Sequence, residues 1–340
     1  NSSIDNRGDA ETQTIKSYIT DDNGATYDIV TYQVLTNREF NSDHNVDNSM
    51  ALTYSDDSAS KILLDVTETR STGFHSSGVA LYQVVATFTD EAKTSLLDVK
   101  TIENADISLL GYVGESTVTR YSGLVAYDGE GGALDPDQAT MVDQTLTTTS
   151  SFDLRGNSLE TRTVKSYYVP GEGLVFAEAQ GISTGDSYDI HNRAQASIIR
   201  SYTDATFETF KNQMQSIAYG SYDKFGNVLS QTIDTYTSLD PDQDFQVDHK
   251  LIESTYSDPV AQRRGNATQT VTTRSDKDAN LIDRSTTDTT EFNAMGYAVD
   301  QVTTTEVYSS GAFVYTEKSV IHNSSIDNRG DAETQTIKSY

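Results

Sequence analysis

The chain has 340 residues and a formal net charge of −27, with 24 basic against 51 acidic side chains. This balance excludes a nucleic-acid-binding protein and disfavours docking on an anionic membrane, because both need clustered Lys and Arg. The absence of cysteine excludes disulfides, thiolate metal sites and cysteine nucleophiles, and the longest apolar stretches are far too short for membrane insertion, which takes about 20 residues.

The composition predicts an all-β protein. Apolar residues make up only 35% of the chain, while Tyr alone numbers 20 and Thr is abundant. Thr and Tyr favour strands, and globular proteins with thick cores are usually about 45–50% apolar. We therefore expect hairpins with a thin, partly polar interior.

The first element in chain order is repeated at the far end. Residues 1–18 recur without a change as residues 323–340, at an offset of 322. Such identity predicts a longer protein made of near-identical blocks. On this interpretation residues 1–322 are one complete repeat block, and residues 323–340 begin the next identical block. A diverged internal copy relates residues 2–18 to residues 150–167.

A finer unit of about 36 residues recurs about nine times within the block. It opens with an aromatic residue or Ile, then Asp or Asn, two variable residues and Gly, most clearly in residues 152–157 and 222–227. Asp can accept bonds from backbone N–H groups two residues on, and Gly tolerates the left-handed conformation, so the motif predicts a type I turn followed by a bulge residue. The predicted structural turn residues are Asp5, Gly8, Asp153, Gly156, Asp223, Gly226 and Gly296. The spacing places further turns at residues 44, 78, 114, 192, 265 and 330.

An aromatic residue follows the turn position by ten residues in many units, and a second polar turn comes after it. This predicted aromatic column consists of Tyr18, Tyr54, Phe88, Tyr202 and Tyr236. Each unit therefore predicts two strands and two turns, and all four prolines are expected in turns. Such tandem β-hairpin repeats predict an antiparallel sheet array that is coiled or layered, because open twisted sheets rarely exceed about ten strands.

At the aromatic–Asp–x–x–Gly–Asn turn the chain resembles the YD or RHS repeat proteins. The resemblance is carried by residues 152–157 and 222–227 and, more faintly, by the other units, although the unit here is longer than the family's. That family comprises large secreted and surface proteins of bacteria and the teneurins of animals. The resemblance implies hairpins that wind into a spiralling sheet and an extracellular or cell-surface location.

One constellation of acids indicates a cation site. The string Leu-Asp-Pro-Asp-Gln occurs at residues 134–138 and again at residues 239–243. Alternate acids in a tight turn can gather carboxylate oxygens around a hard cation such as calcium. The candidate ligands are Asp135, Asp137, Asp240 and Asp242, and a plain solvated turn is the alternative interpretation.

No residue is predicted to be catalytic, so the chain is not expected to be an enzyme. The five histidines lack metal-site spacing, and the Gly-x-Ser-x-Gly string around Ser183 runs into a repeat turn where a nucleophile elbow would need a helix. With 51 acidic residues, a glycosidase-type carboxylate pair stays open as an alternative.

The repeats favour a structural segment of a long extracellular β-sheet fibre, sheath or surface stalk. Its expected partners are copies of its own repeat, joined in cis or by end-to-end strand addition. A calcium-dependent adhesin is the alternative, in which the long insertion at residues 127–138 would matter most. A polysaccharide-active enzyme is the third interpretation.

Overall fold

The computed structural model describes residues 2–5, 8–20, 22, 24–127, 132–239, 245–294, 296–327 and 330–340. The all-β prediction is confirmed, because antiparallel strands make up most of these residues. The chain divides into two units, one of Asn1–Thr149 with Thr163–Ala177 and one of Ser150–Arg162 with Glu178–Tyr340. No helix in the described ranges is long and apolar enough to cross a membrane.

The first unit is an antiparallel meander that carries an inserted hairpin. Its strands are β1 (Ser2–Ile4), β2 (Ala10–Ile19), β3 (Asp28–Phe40), β4 (Val46–Tyr54), β5 (Leu63–Phe74), β6 (Ala80–Phe88), β7 (Leu96–Ile107), β8 (Val113–Tyr121), β9 (Leu124–Tyr127), β10 (Leu134–Pro136) and most of β11 (Met141–Phe152). Consecutive strands pair from β1 to β8, and β8 then pairs with β11. The insertion between them forms a separate two-stranded hairpin of β9 and β10.

The second unit continues the same hairpin pattern. Two strands, β12 (Ser158–Val169) and β13 (Gly173–Ser183), have residues in both units. The strands that follow are β14 (Ala196–Tyr202), β15 (Phe210–Tyr222), β16 (Val228–Tyr236), β17 (Gln246–Thr255), β18 (Gln269–Ser275), β19 (Leu281–Phe292), β20 (Ala298–Ser309), β21 (Ala312–Ile326) and β22 (Ala332–Ser339). Each strand from β13 to β22 pairs antiparallel with the next.

The dry core lies in the first unit, between the sheet and the inserted hairpin. Its buried members are Val66, Val84, Ala86, Phe88, Val99, Tyr121 and Leu134. Leu134 comes from β10 and is only 3% exposed. In the described part of the second unit the buried apolar side chains are Ala179, Met214, Ile217 and Ala261. Three polar residues, Ser197, Ser275 and Thr289, are buried in the same unit.

Two sequence-based placements are wrong. Gly114 was expected at a turn but lies in β8, and the turn between β7 and β8 uses Gly111 instead. Pro136 was expected in a turn but ends β10, opposite Leu124 and next to a bulge. β10 pairs only with β9, so a residue without an N–H group fits at its end.

A short helix replaces the expected hairpin turn between β17 and β18. This helix, α1 (Pro259–Arg263), begins with Pro at a position where a missing N–H costs nothing. Asp258 caps it by accepting a 2.7 Å bond from the Ala261 N–H. Gly265 follows the helix and has φ +77°. This predicted turn residue therefore has the left-handed conformation, but at the end of a helix and not in a hairpin turn.

Candidate functional site

The repeated turn has one hydrogen-bonding scheme, seen clearly at residues 153–157. The Asp153 N–H donates to the Asn157 carbonyl at 2.9 Å, and the Gly156 N–H donates to the Asp153 carbonyl at 3.1 Å. Asp153 Oδ1 accepts from the N–H groups of Arg155 and Asn157, both at 2.8 Å. Gly156 has φ +89°, so the loop is a type I turn closed by a left-handed bulge residue.

The same scheme recurs at the other predicted turn residues. Asp223 Oδ1 accepts from the N–H of Asn227 at 2.8 Å, and Asp5 Oδ1 accepts from the N–H of Asp9 at 2.9 Å. The left-handed position is filled by Gly8, Gly226 and Gly296, with φ of +94°, +86° and +88°. The turn at Gly296 uses Asn293 as its acceptor in place of Asp.

The acceptor carboxylate is stabilised in its charged form. Desolvation disfavours ionisation of Asp153, but the hydrogen bonds donated by Asn157 and Arg155 outweigh it and lower the pKa of Asp153. Asn157 adds a side-chain bond, from Nδ2 to Asp153 Oδ2 at 2.8 Å. An Asp–Asn pair at positions one and five therefore holds this copy of the turn, as Asp223 and Asn227 hold another.

Glycine does not fill the left-handed position in every copy of this turn, since His44 and Asn192 occupy it in two copies, with φ of +65° and +62°. Asp276 opens a turn between β18 and β19 in which Oδ1 accepts from the N–H groups of Asp278 and Asn280, both at 2.9 Å. Its left-handed residue is Ala279, with φ +62°. The spacing of Asp276 and Asn280 was the available signal, since it repeats that of Asp153 and Asn157.

The turns that open the repeats, at the ranges given below, form what we call the turn ladder. Alternate connections of an antiparallel meander fall on the same edge of the sheet, so within each of the two units the successive turns that open the repeats are neighbours. The turn ladder comprises residues 5–9, 41–45, 75–79 and 108–112 in the first unit, and residues 153–157, 189–193, 223–227, 258–266, 293–297 and 327–331 in the second.

Direct bonds join neighbouring members of the turn ladder. His44 Nδ1 lies 2.8 Å from Asp9 Oδ1 in the first unit. In the second unit, the Arg155 guanidinium donates to the Asp189 carbonyl at 2.8 Å. Asn227 Nδ2 donates to the Gln262 carbonyl at 2.7 Å. These turns are therefore held both internally and by a neighbouring turn along the edge.

The five residues of the predicted aromatic column occupy equivalent backbone positions in their strands. At Tyr54, for example, the register moves from Thr53↔Asp65 to Tyr54↔Leu63, which leaves one extra residue in the facing strand. Register shifts fall at the same point for the other four members, Tyr18, Phe88, Tyr202 and Tyr236. These aromatics therefore sit at β-bulges where each strand approaches the second turn, and bulges increase local twist.

The rings of this column differ in burial and contact other aromatics. Phe88 is 2% exposed and Tyr18 is 53% exposed. The ring of Tyr54 lies 6.0 Å from that of Tyr32, and the ring of Phe88 lies 5.4 Å from that of Tyr127. The sequence spacing identified a common position but not these partners.

A buried carboxylate that no sequence motif signalled lies at the centre of a charged cluster in the first unit. Glu68 on β5 has a side chain with no exposed surface. It accepts hydrogen bonds from Arg38, Arg70, Lys93 and the Tyr127 hydroxyl. Tyr127 belongs to β9, so this cluster ties the inserted hairpin to strands β3 and β5. Arg70 also donates to the Gly132 carbonyl of the insertion at 3.0 Å.

The candidate calcium ligands are not brought together as a metal site in the described residues. Asp137 caps the short 3-10 turn at Gln138–Thr140, where Oδ1 accepts from the Ala139 N–H at 3.0 Å. Asp135 lies in β10 opposite Ala126. Asp240 and Asp242 lie outside the described residues. Within the described ranges no group of three or more His, Asp or Glu side chains could hold a metal ion.

Histidine and serine side chains serve pairwise polar contacts. His249 Nδ1 lies 2.7 Å from Asp234 Oδ1, and His322 Nδ1 lies 2.6 Å from Asp300 Oδ1. Ser183 ends β13, donates to Glu160 Oε2 at 2.7 Å and accepts from Arg200 at 2.9 Å. The nucleophile elbow would instead need a helix directly after the serine.

No family model and no curated protein matches the chain. Its architecture and its turn ladder are therefore the basis for any functional proposal.

Proposed function

We propose that the chain is a structural segment of a long tandem-repeat extracellular β-sheet fibre, sheath or surface stalk, built from hairpins that resemble YD or RHS repeats. One observation carries this proposal. The repeated 18-residue sequence forms the same hairpin at both places, with Ser2↔Thr12 and Ile4↔Ala10 matched by Ser324↔Thr334 and Ile326↔Ala332. Each residue pair of the second hairpin is the corresponding pair of the first hairpin with both residue numbers increased by 322.

This equivalence supports a sheet that runs on from block to block. β1 has three residues, whereas the equivalent residues of the second copy end the 15-residue strand β21. A preceding block would supply the remainder of that strand beside β2. The block border would then be an ordinary hairpin within one continuous ladder of hydrogen bonds.

Nearest-neighbour contacts support unlimited length. Within each of the two units, consecutive hairpins pair through strand ladders, and some are also bonded through the turn ladder, so stability adds hairpin by hairpin. Contacts such as Thr287 with Thr303, whose hydroxyl oxygens are 3.0 Å apart, need no thick core. A long fibre can therefore be held together with little buried apolar surface per repeat.

The insertion gives little support to the adhesin alternative. An adhesive loop would keep its side chains available, but Leu134 is buried in the core and the Tyr127 hydroxyl bonds to Glu68 at 3.1 Å. We therefore assign the hairpin of β9 and β10 a covering role over the core of the first unit.

Electron microscopy of chains with one, two and four consecutive 322-residue blocks tests the proposal. We expect continuous filaments whose length grows by a constant increment per block. Separate particles joined by flexible connections would contradict a continuous sheet. Loss of cell attachment on deleting the insertion, without loss of filaments, would favour the adhesin instead.

A further inference from the structure

The last residue of a turn in the turn ladder contacts the left-handed residue of the next turn. We number the five residues of each turn from one to five, so that the left-handed residue has position four. In the first unit the contacting pairs, with position five written first, are Asp9 with His44, Asn45 with Gly78, and Val79 with Gly111. Asp9 Oδ1 lies 2.8 Å from His44 Nδ1, and a Cβ on either glycine would lie 3.4 Å from its neighbour's side chain.

The same contact recurs in the second unit, where Gly265 and Asn266 take positions four and five of the turn that contains α1. The contacting pairs are Asn157 with Asn192, Asn227 with Gly265, Asn266 with Gly296, and Tyr297 with Gly330. Asn157 Nδ2 donates to Asn192 Oδ1 at 3.1 Å. A Cβ on Gly265 would lie 3.3 Å from Asn227 Oδ1, and a Cβ on Gly296 would overlap the side-chain amide of its partner.

One step of the turn ladder departs from this pattern, because its position-five side chain is bound elsewhere. Arg193 precedes the turn of Gly226, but its Nε donates to Asp189 Oδ2 at 2.6 Å and its guanidinium lies over the ring of Tyr222. Apart from the two chain neighbours of Gly226, no atom of the described residues lies within 4 Å of the place that a Cβ there would take. At Gly226 the backbone conformation is therefore the main constraint on the side chain.

Position four is thus constrained both by its backbone and by the preceding turn. Left-handed backbone alone does not demand glycine, since His44 and Asn192 adopt it with φ of +65° and +62°. Their side chains hydrogen-bond to the position-five side chain of the preceding turn. Where position four is glycine, the missing side chain leaves room for that neighbour.

We propose that the pairing of position five with position four decides which hairpin can follow another, and that Tyr297 with Gly330 joins one block to the next. Gly330 belongs to the repeated sequence of residues 323–340, and Tyr297 precedes that sequence. A Cβ on Gly330 would lie 3.0 Å from Tyr297 Cε1 and 3.1 Å from Cδ1, so the ring fills the space of a side chain. The joining role rests on the proposed function, whereas the pairing rule stands on the contacts within each unit.

Gly330→Asn in the 340-residue chain tests the pairing, with Gly226→Asn as the matched control. Both glycines are left-handed, with φ of +94° and +86°, and Asn tolerates that backbone. Because the new side chain at residue 330 must displace the Tyr297 ring, we expect the β21–β22 amides to exchange about tenfold faster than in wild type. The control should change the exchange of the β15–β16 amides by no more than about threefold. Equal effects of the two substitutions on their own hairpins would overturn the pairing.

A transplanted pair tests the same rule by recovery. Tyr297→Asp together with Gly330→His places the Asp9–His44 combination at this step. Each single variant should speed the exchange of the β21–β22 amides, because the Asp alone lacks its His and the His alone meets the ring. The double variant should exchange more slowly than either single variant. A double variant whose acceleration equals the product of the two single effects would overturn the pairing.

Filaments of two-block and four-block chains test the joining role. Gly330→Asn at every block border should interrupt the filaments there, whereas Gly226→Asn in every block should leave them continuous. Unbroken filaments in the first variant would overturn the joining role of Tyr297 and Gly330. If wild-type chains formed no continuous filaments, the proposed fibre would fall and the joining role with it. Amide exchange in the 340-residue chain would still decide the pairing rule by itself.

Discussion

The Arg38 guanidinium on β3 donates hydrogen bonds to both carboxylate oxygens of Glu68 on β5, at 2.6 and 3.0 Å. Strand β4 lies between them in the sheet, and its Asn48 also accepts a bond from Arg38 at 3.2 Å. Two further cations, Arg70 and Lys93, complete the surroundings of the buried carboxylate. Three strands and the β6–β7 turn are thus fixed around one charge.

Replacing Glu68 with Gln should destabilise the first unit by about 3–5 kcal/mol, because it leaves buried cations without their counter-charge. Hydrogen exchange of the β5 amides measures this locally. The exposed Glu11→Gln is the matched control and should change nothing measurable. Equal protection of β5 in wild type and E68Q would show that the cluster is dispensable.

The stability of the first unit should fall in acid. Desolvation raises the pKa of Glu68, but the bonds from Arg38, Lys93 and Arg70 outweigh it and lower that pKa from 4.5 to about 2. A folded-state pKa below the unfolded value gives stability that is present above about pH 4.5 and lost as pH falls towards 2. The loss amounts to about 3 kcal/mol. Melting curves of wild type and E68Q should converge across this window, and a constant gap between them would contradict the assignment.

The sequence predicted local turns far better than it predicted contacts between side chains from distant segments. The Asp-x-x-Gly spacing found the turns at Gly156 and Gly226 because that turn is stabilised by its own side chain and backbone. The prediction failed at Gly114. The assumed constant spacing placed the turn at this glycine, which lies in β8, whereas Ser108 and Gly111 form the turn. The Glu68 cluster gave no signal, because its members come from distant segments that only the sheet register brings together.

Gly156→Ala should destabilise the second unit by about 1–2 kcal/mol. Gly156 has φ +89°, and a Cβ is unfavourable in this left-handed region whatever the surrounding space. Gly181→Ala is the matched control, because Gly181 has ordinary φ and a Cβ there would meet only Tyr202, at 3.6 Å. Thermal melting followed by circular dichroism compares the two. A control that destabilises more than Gly156→Ala would refute the conformational argument.

Leu134→Ala should destabilise the first unit by about 2–5 kcal/mol, because it removes an insertion side chain from the only dry core in the described residues. Leu154, which is 100% exposed in the turn after β11, provides the control and should tolerate Ala with little change. Melting temperatures of both variants, with proteolysis within β9–β10 as a local probe, measure the effect. If the insertion served adhesion alone, Leu134→Ala would leave the melting temperature unchanged. A lowered melting temperature with faster cleavage of β9–β10 would instead assign the hairpin to the core.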